Sequence, residues 1–319
     1  MLPALSSRGL VNRLRYKHLL MLVTLGNSQN LHRAAEALSM SQPATTRMLQ
    51  EIEEAFGCAL FERKARGMQP TALGKELLRY ARAALNGLDR CAAELAERQA
   101  GGYGFLAIGA ILSALPDLVI DAIGVIKQRH PLLRLKVLGD TSDQLIELLE
   151  QRRVDVAVAR LGSALNHKRF EFQAIGNERL IAVVRAGHPA AKSRDLPLED
   201  LIERWPWILQ PDSAPARIAL DEAFARQGLA APTDIIECSS VFTMLQLMRI
   251  TDGILVISEN LLSDHLSMGL IVKLDLPLEA RMAPFGILLR RNETLTAELE
   301  EFLEEIYRRT ENRVDAHWK

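Results

Sequence analysis

The chain has 319 residues, of which 48% are hydrophobic and 25% are charged, and its net charge is −1 at neutral pH. These values predict a soluble globular protein of two or three domains, with ample apolar surface for a core. A protein anchored by transmembrane helices is also excluded, because no apolar stretch approaches the ~20 residues that span a bilayer. The N-terminal segment also lacks the apolar core of an export signal, so we expect a cytoplasmic protein.

The charge is unevenly distributed along the chain. Residues 1–100 contain 14 Lys and Arg against 9 Asp and Glu, which gives +5 and leaves about −6 for the remainder. A basic N-terminal module on an acidic body indicates a polyanionic partner, although many unrelated domains differ by as much.

Two short helical patterns open the N-terminal module. The first covers residues 14–25, and a polar break separates it from the second, residues 31–38. Asn30 is a predicted N-cap of the second helix, because its side chain can accept from the free N–H groups of the first turn. Ala34 and Ala35 lie on the apolar face of that helix, where their small size lets another helix pack closely.

A third helix begins in the sequence SQPATTRMLQEIEEAFG, residues 41–57. Ser41 is a predicted N-cap, and Pro43 falls in the first turn, where its missing N–H costs nothing. We expect one face to anchor the helix through apolar side chains, those of Ala44, Met48, Ile52, Ala55 and Phe56. The other face carries short polar side chains suited to base edges in a major groove, with Gln42, Pro43, Thr46, Arg47 and Gln50. Two such helices joined by a tight turn predict a helix-turn-helix, and the alternative is a solvated face on an ordinary helical bundle.

A basic loop follows the third helix. Arg63, Lys64 and Arg66 lie beside Gly67, ahead of Thr71. This pattern predicts a hairpin wing that would lie along a phosphate backbone and position the protein without reading sequence. A charged surface turn is the alternative interpretation.

The stretch from Arg33 to Leu78 resembles the winged helix-turn-helix of LysR-type transcriptional regulators. The matching features are Arg33-Ala34-Ala35, Ser41-Gln42-Pro43-Ala44, Ile52-Glu53, Leu60-Phe61-Glu62-Arg63, and Thr71 followed by Gly74. The resemblance implies DNA contacts at the starts of the second and third helices and in the wing. The residues in question are Asn30, His32, Arg33, Ser41, Gln42, Pro43, Thr45, Thr46, Arg47, Gln50, Arg63, Lys64 and Arg66.

A long helical pattern runs from Thr71 to about Arg98 and carries an apolar seam of three heptads. The seam consists of two sets spaced by seven residues, Leu78, Leu85 and Ala92 with Ala81, Leu88 and Leu95. Such a stripe is buried either on its own domain or against the same helix of a second subunit. The resemblance implies the second arrangement, a homodimer through this linker helix that presents two recognition helices to two half-sites.

The rest of the chain alternates between strand and helix patterns. Residues 104–160 predict strand-helix-strand-helix-strand, with a Thr-x-x-Gln capping box at Thr141 and a helix over 116–129. A second block over 179–258 alternates in the same way, and a strand and a helix over 285–310 finish the chain. This order predicts parallel strand pairing.

The predicted fold class is therefore α/β with an N-terminal winged helix-turn-helix, a long linker helix, and a two-lobed effector domain that resembles periplasmic binding proteins. Three segments follow from the resemblance: a DNA-binding domain (1–71), a linker helix (72–100) and an effector-binding domain (101–319). Lobe 1 is expected over about 101–173 plus 281–319, and lobe 2 over about 174–274.

Ligands of such lobes lie at the carboxyl ends of the strands, where helix N-termini can bind anions. In the first lobe we expect effector contacts after each predicted strand, at Ala110, Ile111, Leu112, Ser113, Thr141, Ser142 and Arg160. In the second lobe the equivalent candidates are Gln210, Ser213, Arg217, Ser239 and Ser240. The alternatives are structural, because Thr141 and Ser239 suit helix caps and Arg217 suits a helix surface.

The chemistry of the effector is indicated only by class. Residues 237–258, ECSSVFTMLQLMRITDGILVIS, resemble the branch of the family that includes regulators of aromatic-acid and sugar catabolism. Arg160 and the Ser and Thr caps would suit a carboxylate. We therefore expect a carboxylate or a sugar, and no cofactor.

An enzyme is disfavoured because the chain lacks the GxSxG, P-loop, HExxH and GxGxxG motifs, and its histidines are scattered. Its three widely separated cysteines form no zinc or redox spacing, so no metal site is expected. The resemblance implies a regulator that binds double-stranded promoter DNA as a dimer and as a tetramer, with RNA polymerase as a further candidate partner. The alternative is a periplasmic-type solute receptor, which would need an export signal and no DNA-binding front end.

Overall fold

The computed structural model describes residues 14–65, 67–99, 102–161, 169–192, 196–276, 280 and 282–317, without the side chains of residues 97 and 311–317. The chain divides into two compact units. One comprises residues 1–107, 132–136 and 146–155, and the other comprises residues 108–131, 137–145 and 156–319.

Three helices form the N-terminal module of the first unit: α1 (Tyr16–Ser28), α2 (Leu31–Ala37) and α3 (Gln42–Phe56). The predicted caps are confirmed. Asn30 Oδ1 accepts hydrogen bonds from the N–H groups of His32 at 2.9 Å and Arg33 at 3.2 Å. Ser41 Oγ accepts from the Ala44 N–H at 3.4 Å. Each cap satisfies backbone donors that the first helical turn leaves free, and so fixes where its helix begins.

The anchoring face of α3 differs from the expectation. Ala44 is exposed, whereas Thr45 is completely buried and Leu49 is also buried. The buried stripe runs through positions 45, 48, 49 and 52, which is the i, i+3, i+4, i+7 pattern of one helix face. Ala44 belongs to the neighbouring row, so its apolar character misled the prediction. The core beneath this stripe is apolar and contains Met21, Leu22, Leu25, Ala34, Met48, Leu49, Ile52, Leu60, Phe61 and Leu78.

The predicted wing is a two-stranded antiparallel hairpin, β1 (Phe61–Lys64) and β2 (Gly67–Pro70). The Glu53 carboxylate at the end of α3 accepts from the Leu60 N–H at 2.7 Å and from the Phe61 N–H at 3.1 Å. These two bonds join the base of the hairpin to the recognition helix. Arg66, one of the proposed DNA contacts, lies outside the described residues.

The linker helix α4 (Ala72–Gln99) buries its apolar seam over only part of its length. Leu78, Ala81 and Leu85 are buried within the first unit. Farther along, Leu88 and Leu95 are 52% and 56% exposed. The N-terminal part of the seam therefore packs on its own module, and the C-terminal part presents leucines to the outside.

The C-terminal region contains two five-stranded mixed sheets, as the predicted two-lobed α/β architecture requires. The strands that follow the wing are β3 (Phe105–Ala110), β4 (Arg134–Gly139), β5 (Val156–Arg160), β6 (Phe170–Gly176), β7 (Leu180–Arg185), β8 (Trp207–Leu209), β9 (Ile235–Glu237), β10 (Ile254–Ser258), β11 (Ile271–Leu274) and β12 (Phe285–Arg290). The first sheet has the order β4-β3-β5-β12-β6, and the second has the order β11-β7-β10-β8-β9. The chain thus returns to the first sheet through β12 after completing the second.

Parallel pairing, expected from the alternation, occurs between β3 and β5 and between β8 and its neighbours β9 and β10. The late strand β12 pairs antiparallel with β5 and β6, and β7 pairs antiparallel with β10 and β11. Both sheets are therefore mixed, and the parallel strands in each direct their carboxyl ends to one edge.

The helices of this region are α5 (Ile120–Arg129), α6 (Ser142–Glu150), α7 (Leu198–Arg204), α8 (Pro215–Arg226), α9 (Val241–Ile250), α10 (Ser263–Ser267) and α11 (Ala297–His317). The helix predicted over 116–129 begins only at Ile120, because Pro116 is extended and Asp117 has a left-handed φ of 55°. Thr141 caps α6 as expected, because its Oγ1 accepts from the Gln144 N–H at 3.4 Å and donates to Gln144 Oε1 at 2.7 Å. The capping box is incomplete, because the Thr141 N–H donates to Asp140 Oδ1 at 2.9 Å and not to Gln144. Within the described residues, every helix is too short or too polar to cross a bilayer.

Candidate nucleic-acid interface and ligand cleft

The exposed face of α3 carries most of the polar side chains that the sequence singled out. Gln42, Pro43, Arg47 and Gln50 are exposed, together with the cap residue Ser41. Thr46 is half-buried, and its Oγ1 donates to the Gln42 carbonyl at 2.9 Å. These side chains are short or flexible and lie on the opposite side from the buried stripe, which is the arrangement that a groove-reading helix needs.

Thr45 is the exception among the α3 candidates, and its assignment to DNA contact is wrong for this fold. Its side chain is 0% exposed, and its Oγ1 donates to the Ser41 carbonyl at 3.2 Å. A hydroxyl that bonds to the preceding turn needs no other partner in the core. Thr45 therefore helps to seat the helix and does not reach solvent.

The start of α2 and the wing add further exposed candidates. Asn30, His32 and Arg33 are exposed, and His32 Nε2 lies 3.3 Å from Glu36 Oε1. In the wing, Arg63 is exposed, and so is Lys64, whose ammonium lies 2.8 Å from the Glu62 carboxylate. An exposed pair of this kind contributes little to stability and leaves the ammonium accessible.

Three arginines of the candidate interface lie on successive elements of this module. Arg33 on α2, Arg47 on α3 and Arg63 in the wing form no ion pair within the part of the chain that the structure describes. An unpaired surface guanidinium on each of three successive elements makes a surface suited to a polyanion, because guanidinium groups bind phosphate and guanine bidentately.

A cleft of about 320 Å³ lies in the second unit, where strands of both sheets end. It is lined by residues that follow β3, β4 and β8 and by the last residues of β5 and β10, and the first turns of α6 and α8 complete it. The lining residues are Ile111, Leu112, Ser113, Gly139, Asp140, Thr141, Ser142, Arg160, Glu178, Gln210, Pro215, Ala216, Ile257, Ser258, Leu261 and Met282. Its volume suits a small molecule.

The cleft contains seven of the residues that the sequence proposed for the effector. These are Ile111, Leu112, Ser113, Thr141, Ser142, Arg160 and Gln210. The rule that ligands lie beyond the carboxyl ends of strands located these positions, because the rule depends on strand order and not on side-chain identity.

Five of the proposed effector residues do not line the cleft: Ala110, Ser213, Arg217, Ser239 and Ser240. Ala110 is completely buried at the end of β3. The Arg217 guanidinium is held along α8 by Asp221 at 2.9 Å. Ser240 caps α9 by accepting from the Thr243 N–H at 3.3 Å, so the cap is Ser240 and not Ser239. Arg217 is 11% exposed, so it is not the surface charge given as its alternative.

Glu178 was missed by the sequence analysis, although it forms the most distinctive contact in the cleft. Its carboxylate is ion-paired with the Arg160 guanidinium, and both side chains are largely buried. Arg160 also donates to Ser113 Oγ at 3.4 Å, and its backbone N–H donates to Ser142 Oγ at 3.1 Å. Burial lowers the pKa of Arg160 to about 10, which leaves it charged at neutral pH. Glu178 lies in the short, irregular connection between the two sheets, and such a segment has no hydrophobic periodicity from which a site residue could be predicted.

Three buried side-chain atoms at the cleft have no hydrogen-bond partner among the described residues. They are Arg160 Nε, Glu178 Oε2 (whose carboxylate is ion-paired with Arg160) and Ser258 Oγ. Ser258 is only 2% exposed, and it ends β10 at the cleft. Buried polar groups are nearly always satisfied, so a polar ligand or an ordered water suits these atoms.

The matched families agree with this division of the chain. Residues 16–75 match the bacterial regulatory helix-turn-helix proteins of the lysR family, and residues 100–311 match the LysR substrate binding domain. The HTH-type transcriptional regulator GbpR of Azospirillum brasilense is 36% identical over 250 residues, which cover 78% of this chain and 73% of GbpR.

Solved structures of similar fold are full-length regulators. A mutant of full-length BenM is 25% identical, with a TM-score of 0.52, and the match covers 94% of this chain and 97% of BenM. Full-length CbnR in complex with its target DNA has a TM-score of 0.61 at 19% identity, covering 93% of this chain and 100% of CbnR, which shows the fold. The predicted combination of a winged helix-turn-helix with a two-lobed effector domain is confirmed, and the solute-receptor and enzyme alternatives are set aside. The chain belongs to the LysR family of bacterial DNA-binding transcriptional regulators.

Proposed function

We propose that this regulator recognises the bases of promoter DNA with the exposed face of α3. The start of α2 and the wing contact the phosphate backbone. The observation that carries the proposal is the unpaired, exposed Arg47 between Gln42 and Gln50 on one face of α3. Arg pairs bidentately with guanine and Gln with adenine, so these three side chains supply base discrimination. Arg33, Arg63 and Lys64 supply contacts that depend on salt and not on sequence.

The oligomer that binds DNA is proposed to be a dimer through α4, two of which can form a tetramer. The support is the exposed C-terminal part of the apolar seam, Leu88 and Leu95, together with the exposed Tyr80 on the same helix. Burying these side chains against a second copy removes apolar surface from water. Pairing two modules also doubles the number of phosphates that the protein neutralises.

The effector is proposed to be a small molecule that is neutral and rich in hydroxyl groups, such as a sugar, and not a free carboxylate. Among the described residues that line the cleft, Arg160 is the one cation, Glu178 already neutralises it, and Asp140 adds a second carboxylate. An added anion would face a net negative lining. A hydroxyl can donate to the Glu178 carboxylate and can bond to Ser258 Oγ, so it suits the unsatisfied groups better.

Effector binding is proposed to reach the DNA through α6. Its first residue, Ser142, lines the cleft. At its other end, Glu150 Oε1 lies 3.5 Å from Arg79 Nη1 of α4, and Asn86 of α4 donates to the Gln151 carbonyl at 2.7 Å. A small shift of α6 would therefore act on the linker helix and change the angle between paired DNA-binding modules. Bending DNA costs of order 1–6 kcal/mol, which an effector of moderate affinity can redistribute.

Two experiments test these roles. Genomic fragments retained by the full-length protein would be sequenced and footprinted, and a single protected region with two half-sites is expected. A thermal-shift screen of the same protein against sugars and small carboxylates tests the effector class, and a sugar is expected to raise the melting temperature more. A regulator of this kind is proposed to act in the cytoplasm, with RNA polymerase bound to the same promoter.

A further inference from the structure

The wing hairpin is too small to be stable without contacts to the rest of the module. Each of its strands has four residues, and the hairpin has four paired positions, Phe61 with Pro70 through Lys64 with Gly67. An isolated two-stranded hairpin is marginally stable at best in water. The Glu53 carboxylate holds the base of the hairpin, but the basic residues lie toward its tip. A second support is therefore needed near the turn.

Gln29, at the junction of α1 and α2, provides that support through two hydrogen bonds. Its carbonyl accepts from the Met68 N–H at 2.8 Å. Its side-chain Oε1 accepts from Gln69 Nε2, also at 2.8 Å. Met68 and Gly67 are paired with Arg63 and Lys64, so the strand that Gln29 holds lies directly beside the basic residues.

The contact between β2 and the Gln29 carbonyl is so close that it requires a glycine at position 67. A Cβ at Gly67 would lie 2.3 Å from the Gln29 carbonyl oxygen, and the φ of Gly67 is +108°. Both the space and the backbone conformation exclude a side chain there. Gly67 is thus the residue at which β2 packs directly against the backbone of Gln29.

Gln29 also lies directly before the cap of α2. It ends α1 in the left-handed region, with a φ of 50° and its N–H donating to the Leu25 carbonyl. The next residue, Asn30, caps α2 and orders the N–H groups of His32 and Arg33. Gln29 therefore connects the wing to the residue that caps α2, and these are the two elements assigned to the phosphate backbone.

We propose that Gln29 is a positioning residue that sets the distance between the wing and the start of α2, so that Arg63 and Lys64 meet the same duplex as Arg33. The proposal rests on the proposed DNA-binding role of these elements. Gln29 itself is not required to touch DNA. A wing without this support would have to be ordered on binding, which costs about two- to tenfold in affinity for each side chain that must be fixed.

The test uses two substitutions that are expected to change the position of the wing without changing the stability of the fold. Gln29→Gly removes the side-chain bond but relieves the left-handed backbone, so folding is preserved. Gln69→Ala removes the same bond from the other side. Gln173→Ala is the matched control, because it removes an exposed glutamine hydrogen bond, which Tyr307 Oη donates at 2.7 Å, outside the wing. For each full-length protein, the melting temperature is measured alongside the affinity for a selected genomic fragment as a function of salt.

We expect both wing variants to bind about two- to tenfold more weakly at an unchanged melting temperature, and with a smaller salt dependence, because each lost phosphate contact lowers the slope by about one. The double variant should be no weaker than either single variant. Unchanged affinity and slope in both variants would overturn the proposal, and so would an affinity that falls only in step with the melting temperature. If the unmodified protein itself shows no salt-dependent binding, the DNA-binding role fails first and the positioning role fails with it.

Discussion

Arg160 and Glu178 form a buried ion pair at the cleft, with the last residue of β5 bound to the connection between the two sheets. Removing one partner of a buried pair leaves the other charge uncompensated, at about 3–5 kcal/mol, whereas replacing both by apolar groups is often nearly neutral. We therefore expect Glu178→Leu alone to destabilise the protein by about that amount, and Arg160→Met/Glu178→Leu to restore most of the loss. Urea denaturation of the full-length proteins measures both, and equal stability of the single and double variants would contradict the pairing.

The same pair determines a pH dependence with a defined sign. Burial lowers the pKa of Arg160 well below its ordinary value, to about 10, so above about pH 10 the unfolded chain holds a proton that the folded chain releases. The contribution of Arg160 to the free energy of unfolding is then constant below about pH 10 and rises with pH above it. The difference in free energy of unfolding between the unmodified protein and Arg160→Met/Glu178→Leu should stay constant from pH 7 to 9. Above pH 10 it should shift in favour of the unmodified protein. A difference that changes between pH 7 and 9 would show that another group titrates in the cleft.

Arg47 and Thr45 are two residues apart on α3 but lie on opposite faces, and this offers a matched comparison. We expect Arg47→Ala to weaken DNA binding by about 1–3 kcal/mol, or roughly five- to 150-fold, because a bidentate base contact is lost. Thr45→Val is expected to keep the affinity of the folded protein, since Thr45 is buried. Fluorescence anisotropy measures both affinities, and circular dichroism verifies that the fold is kept. A larger effect for Thr45→Val would reverse the assignment of the two faces.

The exposed leucines of α4 make a prediction about assembly. Leu88→Asp should weaken dimerisation by about a hundredfold or more, because a carboxylate would be buried in an apolar interface. The neighbouring Asp89 is exposed, so Asp89→Asn serves as the control and should leave the dimer intact. Sedimentation velocity distinguishes monomer from dimer. A Leu88→Asp protein that remains fully dimeric would place the subunit contact elsewhere.

The contact between α6 and α4 predicts a separation of effector binding from the DNA response. Asn86→Ala removes the hydrogen bond to the Gln151 carbonyl without touching the cleft. We expect a sugar found by the thermal-shift screen to stabilise this variant as it does the unmodified protein, but to change the footprint less. Asp89→Ala on the same helix is the control. An unchanged effector-dependent footprint in Asn86→Ala would exclude this route.

Helix caps, the wing and the parallel pairing of β3 with β5 could be predicted from sequence, because each depends on local chemistry or on a fixed periodicity. Asn30, Ser41 and Thr141 each cap a helix as expected. On α3 the buried positions Met48 and Ile52 were predicted correctly, but Ala44 was wrongly included in place of Thr45. A small apolar residue such as Ala44 tolerates exposure, while Thr45 can satisfy its hydroxyl within the helix. Periodicity alone does not resolve two such neighbours.

The cleft was only partly predictable for a different reason. The rule of strand ends located Ser113, Ser142 and Arg160, but Glu178 lies in an irregular connection that only the tertiary fold brings to the cleft. The serines near α9 seemed equally suited to a ligand, yet Ser240 is occupied as a cap. The edge strand β6 was also missed, because its mixture of exposed and partly buried side chains lacks a clear alternation.

The most direct test of the central claim, that the uncovered side chains of α3 contact duplex DNA, is the salt dependence of binding. The full-length protein and Arg47→Ala would be titrated onto a genomic fragment that the protein selects, at several salt concentrations. We expect the affinity of the unmodified protein to fall steeply with salt, with a logarithmic slope of about −0.9 per neutralised phosphate, and that of Arg47→Ala to be weaker throughout. Affinity for no genomic double strand, or affinity that salt and the loss of Arg47 leave unchanged, would contradict the claim.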